Sequence, residues 1–247
     1  MASLYLAGDL ARQLNLGTDA VAGSVVTFGG EEARHAVSVA RVRIGEKISL
    51  GDGAGLVVSG PVLSIDDGVV SVTVESSSLD PATLPELWLV QALAKGDRDE
   101  LAIQAATELG AAGVIPWAAE RSVSRWDGPK ADKGRERWAS IVREATKQSI
   151  RSRIPVVEPM MSTAAVAKLA GVILVLEPTA TVTLTAVPLD ADRITLVVGP
   201  EGGIAPRELE TFLSAGATIV RLGPEVLRTS TAGPAALAVL NARLARW

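Results

Sequence analysis

ITLVVGPEGGIAPRELETFLSAGATIVRLGPEVLRTST, residues Ile194 to Thr231, carries the pattern from which the architecture of this chain follows. It holds two short apolar runs, Ile194–Val198 and Ala217–Leu222, each closed by a Gly-Pro pair. Runs of that length, rich in β-branched residues, are the pattern of strands buried in a parallel sheet. Between them Pro206 stands at a helix's first position, where its missing N–H does no harm, and Gly216 stands where that helix must end. The stretch predicts strand, glycine loop, helix, strand, glycine loop, helix. In open α/β sheets ligands bind beyond the carboxyl ends of the strands, and both Gly-Pro loops fall on that edge. A third apolar run, Val172–Leu176, ends in Glu177-Pro178 on the same edge. One such loop alone reads as a tight turn; three on one edge point to a binding site.

Charge narrows the ligand. Gly199-Pro200-Glu201-Gly202-Gly203 lacks the Lys and Ser/Thr of a P-loop and is not the GxGxxG of dinucleotide sites. Glu201 stands near a helix start, where a phosphate would otherwise gather. A carboxylate there favours a ligand without phosphate and with positive charge, held by backbone that glycines allow to approach closely. S-adenosylmethionine, an adenosine bearing a sulfonium, has that description. Leu176, Glu177, Gly199, Pro200, Glu201, Gly202, Leu222, Leu227 and Thr229 are the candidate cofactor contacts.

Composition sets the outer bounds. A chain of 247 residues holds one large or two smaller domains, and a hydrophobic share of 48% supplies a core. No run of 18 apolar residues is present to span a membrane. Met1–Leu6 lacks the basic start and long apolar stretch of a signal peptide, so a cytoplasmic protein is expected. The absence of cysteine excludes disulfides and thiolate metal sites, and the single histidine, His35, excludes histidine-rich ones; no metal is expected. With a net charge of −4, any nucleic-acid contact rests on local patches.

Residues 1–75 read as short strands (Leu4–Leu6, Ser24–Phe28, Lys47–Leu50, Leu56–Val58, Val69–Val74) with glycine turns between them, which predicts a small β-barrel. One helix, Glu31 to Arg41, interrupts it and carries His35, whose role stays open between packing and RNA contact. Arg34, Arg41, Arg43 and Lys47 are candidate phosphate contacts, because cations add affinity without reading sequence; a solvated face is the other reading. The polar, proline-containing stretch 76–86 predicts a linker. Residues 87–247 read as a second domain. It opens with a strand, Leu87–Leu93, a capping box at Asp97 and Glu100, a helix bearing Leu101, Ala105 and Leu109, and a strand, Val114–Trp117. That alternation predicts a parallel sheet with helices on its faces.

Residues 121–153 hold ten Lys/Arg against four Asp/Glu inside an acidic chain. Lys130–Ile150 reads as a helix with Trp138, Ile141, Val142 and Ala145 on one face and Arg135, Arg143 and Lys147 opposite. Trp126 and Trp138 read as core. Excess charge of one sign points to RNA-backbone contact through Arg121, Arg143, Lys147 and Arg151, against the plainer reading of a solvated helix. A last helix is expected from Pro234, with Leu237, Leu240 and Leu244 on its apolar side.

These motifs carry a resemblance. VVGPEGGI followed by LGPEVLRTSTA closely resembles the C-terminal signature of the 16S ribosomal RNA (uracil-N3)-methyltransferases, members of the SPOUT superfamily of knotted methyltransferases. HAVSVARVRIGEKISLGDG, LAKGDRDELAIQAATELGAAGVIPW, ERSVSRW and EATKQSIRSRIP resemble its other segments, so the match spans nearly the whole chain. The resemblance implies a PUA-like barrel that helps hold RNA, then an α/β SPOUT domain whose last helix threads a trefoil knot. It also implies a homodimer that transfers a methyl group from S-adenosylmethionine to N3 of one uridine in the decoding region of small-subunit rRNA. Where family members usually have Glu, this chain has Ser230, and where they usually have Lys it has Ala105.

The chemistry needs an in-line nucleophile and no metal. Uracil N3 becomes nucleophilic when its proton leaves, which puts negative charge on the flanking carbonyl oxygens. A fixed cation there lowers the barrier, and Arg228, on the loop facing the methyl group, is the candidate; tying its own loop down is the alternative role. A serine is no general base at neutral pH without help, so the base is left among water, Glu201 and none. Two other functions stay in view: a SPOUT methyltransferase with a different nucleotide target, and a non-catalytic RNA-binding ribosome-assembly factor.

Overall fold

The computed structural model describes residues 4–14 and 22–247, so half of the Met1–Leu6 reading lies outside the described residues. The chain divides into two compact units, residues 1–82 with 146–154, and residues 83–145 with 155–247.

The first unit is built on β1 (Leu4–Leu6), α1 (Leu10–Gln13), β2 (Val25–Phe28), α2 (Gly30–Arg34), β3 (Lys47–Gly51), β4 (Leu56–Asp66), β5 (Val69–Thr73) and β6 (Ser76–Leu79). The strands form one sheet in the order β1-β3-β4-β5-β2, with β6 paired to β4. Only β1 and β3 run parallel. Alternate residues of β4, Leu56, Val58, Gly60 and Val62, face inward and meet Ile48, Leu50, Val70, Val72 and Phe28 in a single apolar core. This strand runs far beyond the expected Val58, because Gly60-Pro61 is not a break: a Cβ at Gly60 would lie 1.8 Å from the Thr73 carbonyl oxygen, so glycine lets two chains pass. A register shift between Val62 and Ser64 then bends β4 from one set of partners to the other.

Two further expectations need correcting here. The helix from Glu31 does not reach Arg41. It ends as α2 at Arg34 and widens into a π turn, His35–Val39, with the Ala40 N–H on the His35 carbonyl and the Val42 N–H on that of Ala36. Val37, Ser38 and Val39 are poor helix formers, and the wide turn keeps Ala36 and Val42 in the core while Arg41 sits outside at φ 56°. The stretch 76–86 is not all linker, since Ser76–Leu79 pairs along β4 as an exposed edge strand. Residues 146–154 complete this unit: the Ile154 N–H donates to the Gly53 carbonyl (2.9 Å), and Arg153 donates to the Asp80 carbonyl (2.6 Å).

The second unit contains β7 (Glu86–Ala92), α3 (Arg98–Glu108), β8 (Gly113–Trp117), α4 (Pro129–Gln148, whose last turn belongs to the first unit), β9 (Val156–Val157), α5 (Thr163–Val166), β10 (Val172–Leu176), β11 (Val182–Thr183), β12 (Arg193–Val198), α6 (Pro206–Ser214), β13 (Thr218–Arg221) and α7 (Thr229–Arg243). Its seven strands lie in the order β11-β13-β10-β12-β7-β8-β9, with every pair parallel. The central strands are buried along almost their whole length, as their unbroken apolar runs predict. Trp88, Trp117, Val175, Val197 and Phe212 pack on one face, with Trp117 and Phe212 edge to face at 5.6 Å.

The capping box expected at α3 does not form. Asp97 lies at φ 59° and caps nothing; Asp99 instead accepts from the Ala94 N–H (3.2 Å) and the Glu100 N–H (2.9 Å), and Glu100 pairs with Arg137. The last helix starts five residues before Pro234 is reached, at Thr229. The Arg228 carbonyl accepts from the Thr231 and Ala232 N–H groups, and Pro234 is carried inside the helix. Pro234 is the sixth residue of the helix, beyond the four N–H groups that need no partner, so it forfeits the one bond its N–H would have made to the Ser230 carbonyl. Trp138 is 1% exposed and meets Trp126 edge to face at 5.4 Å, which places both in packing.

Candidate functional site

Beyond the carboxyl ends of β10, β12 and β13 lies a cavity of about 410 Å³. Its walls are the three loops read from the sequence, 177–178, 199–205 and 222–228, closed below by the first turn of α7. The volume falls in the range of small-molecule sites. Of the candidate cofactor contacts, Leu176, Glu177, Gly199, Pro200, Glu201, Leu222, Leu227 and Thr229 line it, and so does Arg228. Gly202 does not: its carbonyl accepts from Arg121 (3.2 Å), which buttresses the loop from behind.

Each loop is held by local geometry. The Glu177 N–H donates to the Val220 carbonyl (2.9 Å), and its carboxylate folds back onto the Thr179 N–H and hydroxyl (3.3 and 3.0 Å). At Gly199 a Cβ would sit 2.6 Å from Ile204, so only glycine leaves that wall open. Gly203 turns the loop at φ 72°, its N–H on the Pro200 carbonyl (2.9 Å). Glu208, 5% exposed, accepts from the Ala205 and Glu120 N–H groups (3.1 and 3.0 Å) and the Thr163 hydroxyl (2.7 Å), which anchors the end of the loop where α6 begins.

The electrostatics differ from the sequence reading at one point. Glu201 is not an uncompensated carboxylate: it accepts from Arg98 (2.8 Å) and from the Lys95 N–H (3.2 Å). Desolvation raises its pKa, but its own N–H, Arg98 and the Lys95 N–H together hold it below the ordinary value. Arg98 has no signal in the local sequence, because it comes from 103 residues away. The ionisable side chains on the wall with no hydrogen bond or ion pair among the described residues are Arg221, Glu225 and Arg228, all exposed. A cavity with glycine-opened backbone and leucine walls fits an adenosine.

The candidate RNA contacts divide by exposure. Arg34, Arg41 and Arg43 are exposed on the first unit, as is His35, 6.4 Å from the Tyr5 ring. Lys47 is paired with Glu75 (2.9 Å) at the surface. Lys147 is withdrawn: it and Glu32 form an ion pair (3.3 Å) with side chains only 10% and 11% exposed. Arg151 is half-buried, and desolvation brings its pKa down to about 10. On the second unit Arg121 is exposed and Arg143 half-buried. Among the described residues no helix is long and apolar enough to cross a membrane.

Known proteins meet this geometry along nearly the whole chain. The family model for an RNA methyltransferase PUA domain matches residues 28–75, and that for an RNA methyltransferase domain matches residues 81–241. The chain is 42% identical over 233 residues to the ribosomal RNA small subunit methyltransferase E of Mycobacterium bovis, covering 91% of this chain and 89% of that one. It is 32% identical over 225 residues to the protein of the same name from Bacillus subtilis, covering 86% and 88%. Among solved structures, the ribosomal RNA small subunit methyltransferase E of Neisseria gonorrhoeae bound to S-adenosyl methionine superposes with a TM-score of 0.85, at 26% identity over 98% of both chains. The parallel sheet, the three-loop cavity and these matches lead to one conclusion: the chain belongs to the RNA methyltransferase family, with an RNA methyltransferase PUA domain ahead of the methyltransferase domain.

Proposed function

We propose that this protein methylates N3 of one uridine in the decoding region of small-subunit ribosomal RNA, using S-adenosylmethionine held in the three-loop cavity. The observation that carries this reading is the cavity itself, with Arg228 on its wall and backbone opened at Gly199. Leu176, Leu222 and Leu227 would flank the adenosine, and Glu225 would face the positive charge. Bound there, S-adenosylmethionine supplies an electrophilic methyl group. Arg228, exposed and without a competing partner among the described residues, directs its guanidinium at the uracil carbonyl oxygens and stabilises the charge that appears when the N3 proton leaves. Glu201 is a poor base, because Arg98 and the Lys95 N–H hold its carboxylate in the charged form. Ser230 has no activating partner among the described residues, which leaves solvent as the proton's destination.

The first unit, with exposed Arg34, Arg41 and Arg43, is read as the part that holds the RNA backbone. A homodimer in the cytoplasm belongs to the same reading; exposed Val226 and Leu227, 76% and 38% accessible beside the cavity, are apolar surface for a second copy to cover. The test supplies labelled S-adenosylmethionine with unmodified small subunits and, separately, naked rRNA, and locates the methyl group by mass spectrometry. N3-methyluridine at one decoding-site position is the expected product. Methyl transfer to another nucleotide would replace the target, and cofactor binding without transfer to either substrate would remove the assignment.

A further inference from the structure

We infer that Gln91, which does not line the cavity, is a positioning residue: its amide fixes the Thr229 hydroxyl, and with it the start of α7, against the end of β7. The inference rests on the methyltransferase reading above. Gln91 is the one polar side chain in the inner part of β7, among Leu87, Trp88, Leu89, Val90 and Ala92, and it is 0% exposed. Its Nε2 donates to the Thr229 Oγ1 (2.8 Å) and to the Ala92 carbonyl (3.1 Å), and the Thr229 Oγ1 donates to the Gly199 carbonyl (2.8 Å). The amide orientation is forced. The only hydroxyl proton of Thr229 is spent on Gly199, and a carbonyl accepts but never donates, so only an N–H of Gln91 satisfies both neighbours.

That orientation has a cost built into it. The Gln91 Oε1 is buried with no hydrogen-bond partner among the described residues. A methionine of similar length would leave no orphaned acceptor at this place, and the Thr229 hydroxyl would still have Gly199 to donate to. The two hydrogen bonds of the glutamine are offset by its orphaned acceptor, so stability alone gives little reason for it. Position does: Thr229 is the first residue of α7, next to Arg228, and Gly199 opens the cofactor loop, so the Gln91–Thr229–Gly199 chain ties the charge-stabilising arginine to the wall that holds the methyl donor. Buried polar groups left unpaired at such places are where structures hold a functional geometry at the expense of stability.

The test compares Gln91→Met, Thr229→Val, the double variant and Thr229→Ser with the unaltered full-length chain. Three readouts are taken: kcat against KM, S-adenosylmethionine affinity by calorimetry, and melting temperature without cofactor. Gln91→Met is expected to melt at or above the unaltered protein and to bind S-adenosylmethionine within about threefold. Its kcat should fall by roughly ten- to a hundredfold, the scale of a misplaced reacting group. The double variant should be no slower than Thr229→Val alone, because both break one chain, and Thr229→Ser should recover most of what valine loses. An unchanged kcat in Gln91→Met overturns the inference. So does a lowered melting temperature with affinity reduced in proportion, which is plain structural damage. If the unaltered protein transfers no methyl group, the methyltransferase reading fails separately. The inference is then decided by melting and affinity alone: a Gln91→Met protein less stable than the unaltered one overturns it.

Discussion

Arg228 and Glu201 share a wall of the cavity and are prepared for different duties. Arg228 holds no hydrogen bond or ion pair among the described residues, so its removal breaks no such contact, and in the proposed reaction it takes away the charge stabilisation. Arg228→Ala is expected to slow transfer by about 10²–10³-fold, the effect of deleting one preorganised donor, with S-adenosylmethionine affinity by calorimetry nearly unchanged; a normal rate would remove it from the chemistry. Glu201 is structural by comparison. Desolvation pushes its carboxyl up, but its own N–H, Arg98 and the Lys95 N–H outweigh that and hold it below the ordinary carboxylate value. A lowered folded pKa contributes stability that is present above the unfolded value and fades as the pH falls through the folded one. With side chains 42% and 29% exposed, the Arg98–Glu201 pair is screened and worth at most about 1 kcal/mol. Glu201→Gln should therefore flatten the acid-side fall of the urea midpoint below about pH 4.5, while leaving Arg228-dependent transfer in place.

At the scale of elements, the loops work because helices and strands pin their ends. Glu208 gathers three donors, from α5, from Ala205 just ahead of α6 and from the segment after β8, onto one buried carboxylate. Glu208→Ala leaves buried N–H groups unpaired and is expected to cost about 3 kcal/mol of unfolding free energy by urea titration. Gly199→Ala is a sharper probe of the cavity, since its Cβ at 2.6 Å would press on Ile204. It should weaken S-adenosylmethionine binding by calorimetry more than it lowers the melting temperature; the reverse order would mean that the loop is packing rather than site. Element boundaries were the least legible part of the sequence. Pro234 marks a helix start by rule, yet α7 begins at Thr229, where the bond from the Thr229 hydroxyl to the Gly199 carbonyl, made from outside the local sequence, holds its first turn. Gly60-Pro61 marks a break by rule, yet β4 continues, because a neighbouring strand needs the space a side chain would take.

For the whole molecule the relevant quantity is where charge is left free in a chain of net charge −4. Arg34 and Arg43 are exposed, whereas Lys147 is spent on Glu32 in a nearly buried pair. Replacing Arg34 and Arg43 with alanine should lower the slope of log affinity against log salt for small-subunit RNA by about 0.7–0.9 for each phosphate that is no longer neutralised. Lys147→Ala should leave that slope alone and instead cost about 3 kcal/mol of stability, the penalty of stranding one charge of a buried pair. A lowered slope in Lys147→Ala would return that lysine to the RNA surface.

The parallel sheet, the edge on which the cavity lies and about half of the residues that line it were written in the sequence. Unbroken β-branched runs and glycine-proline loops encode those locally, strand by strand. Arg228 was legible there too as a residue of the same edge, since a single loop places it on the cavity wall. Which charges are free was settled only by the folded chain. Arg98 neutralises Glu201 across 103 residues, Glu32 takes Lys147 out of the basic face across 115, and Gln91 reaches Thr229 across 138. Pairings between residues so far apart depend on how the strands are ordered in space, and no local pattern records that order.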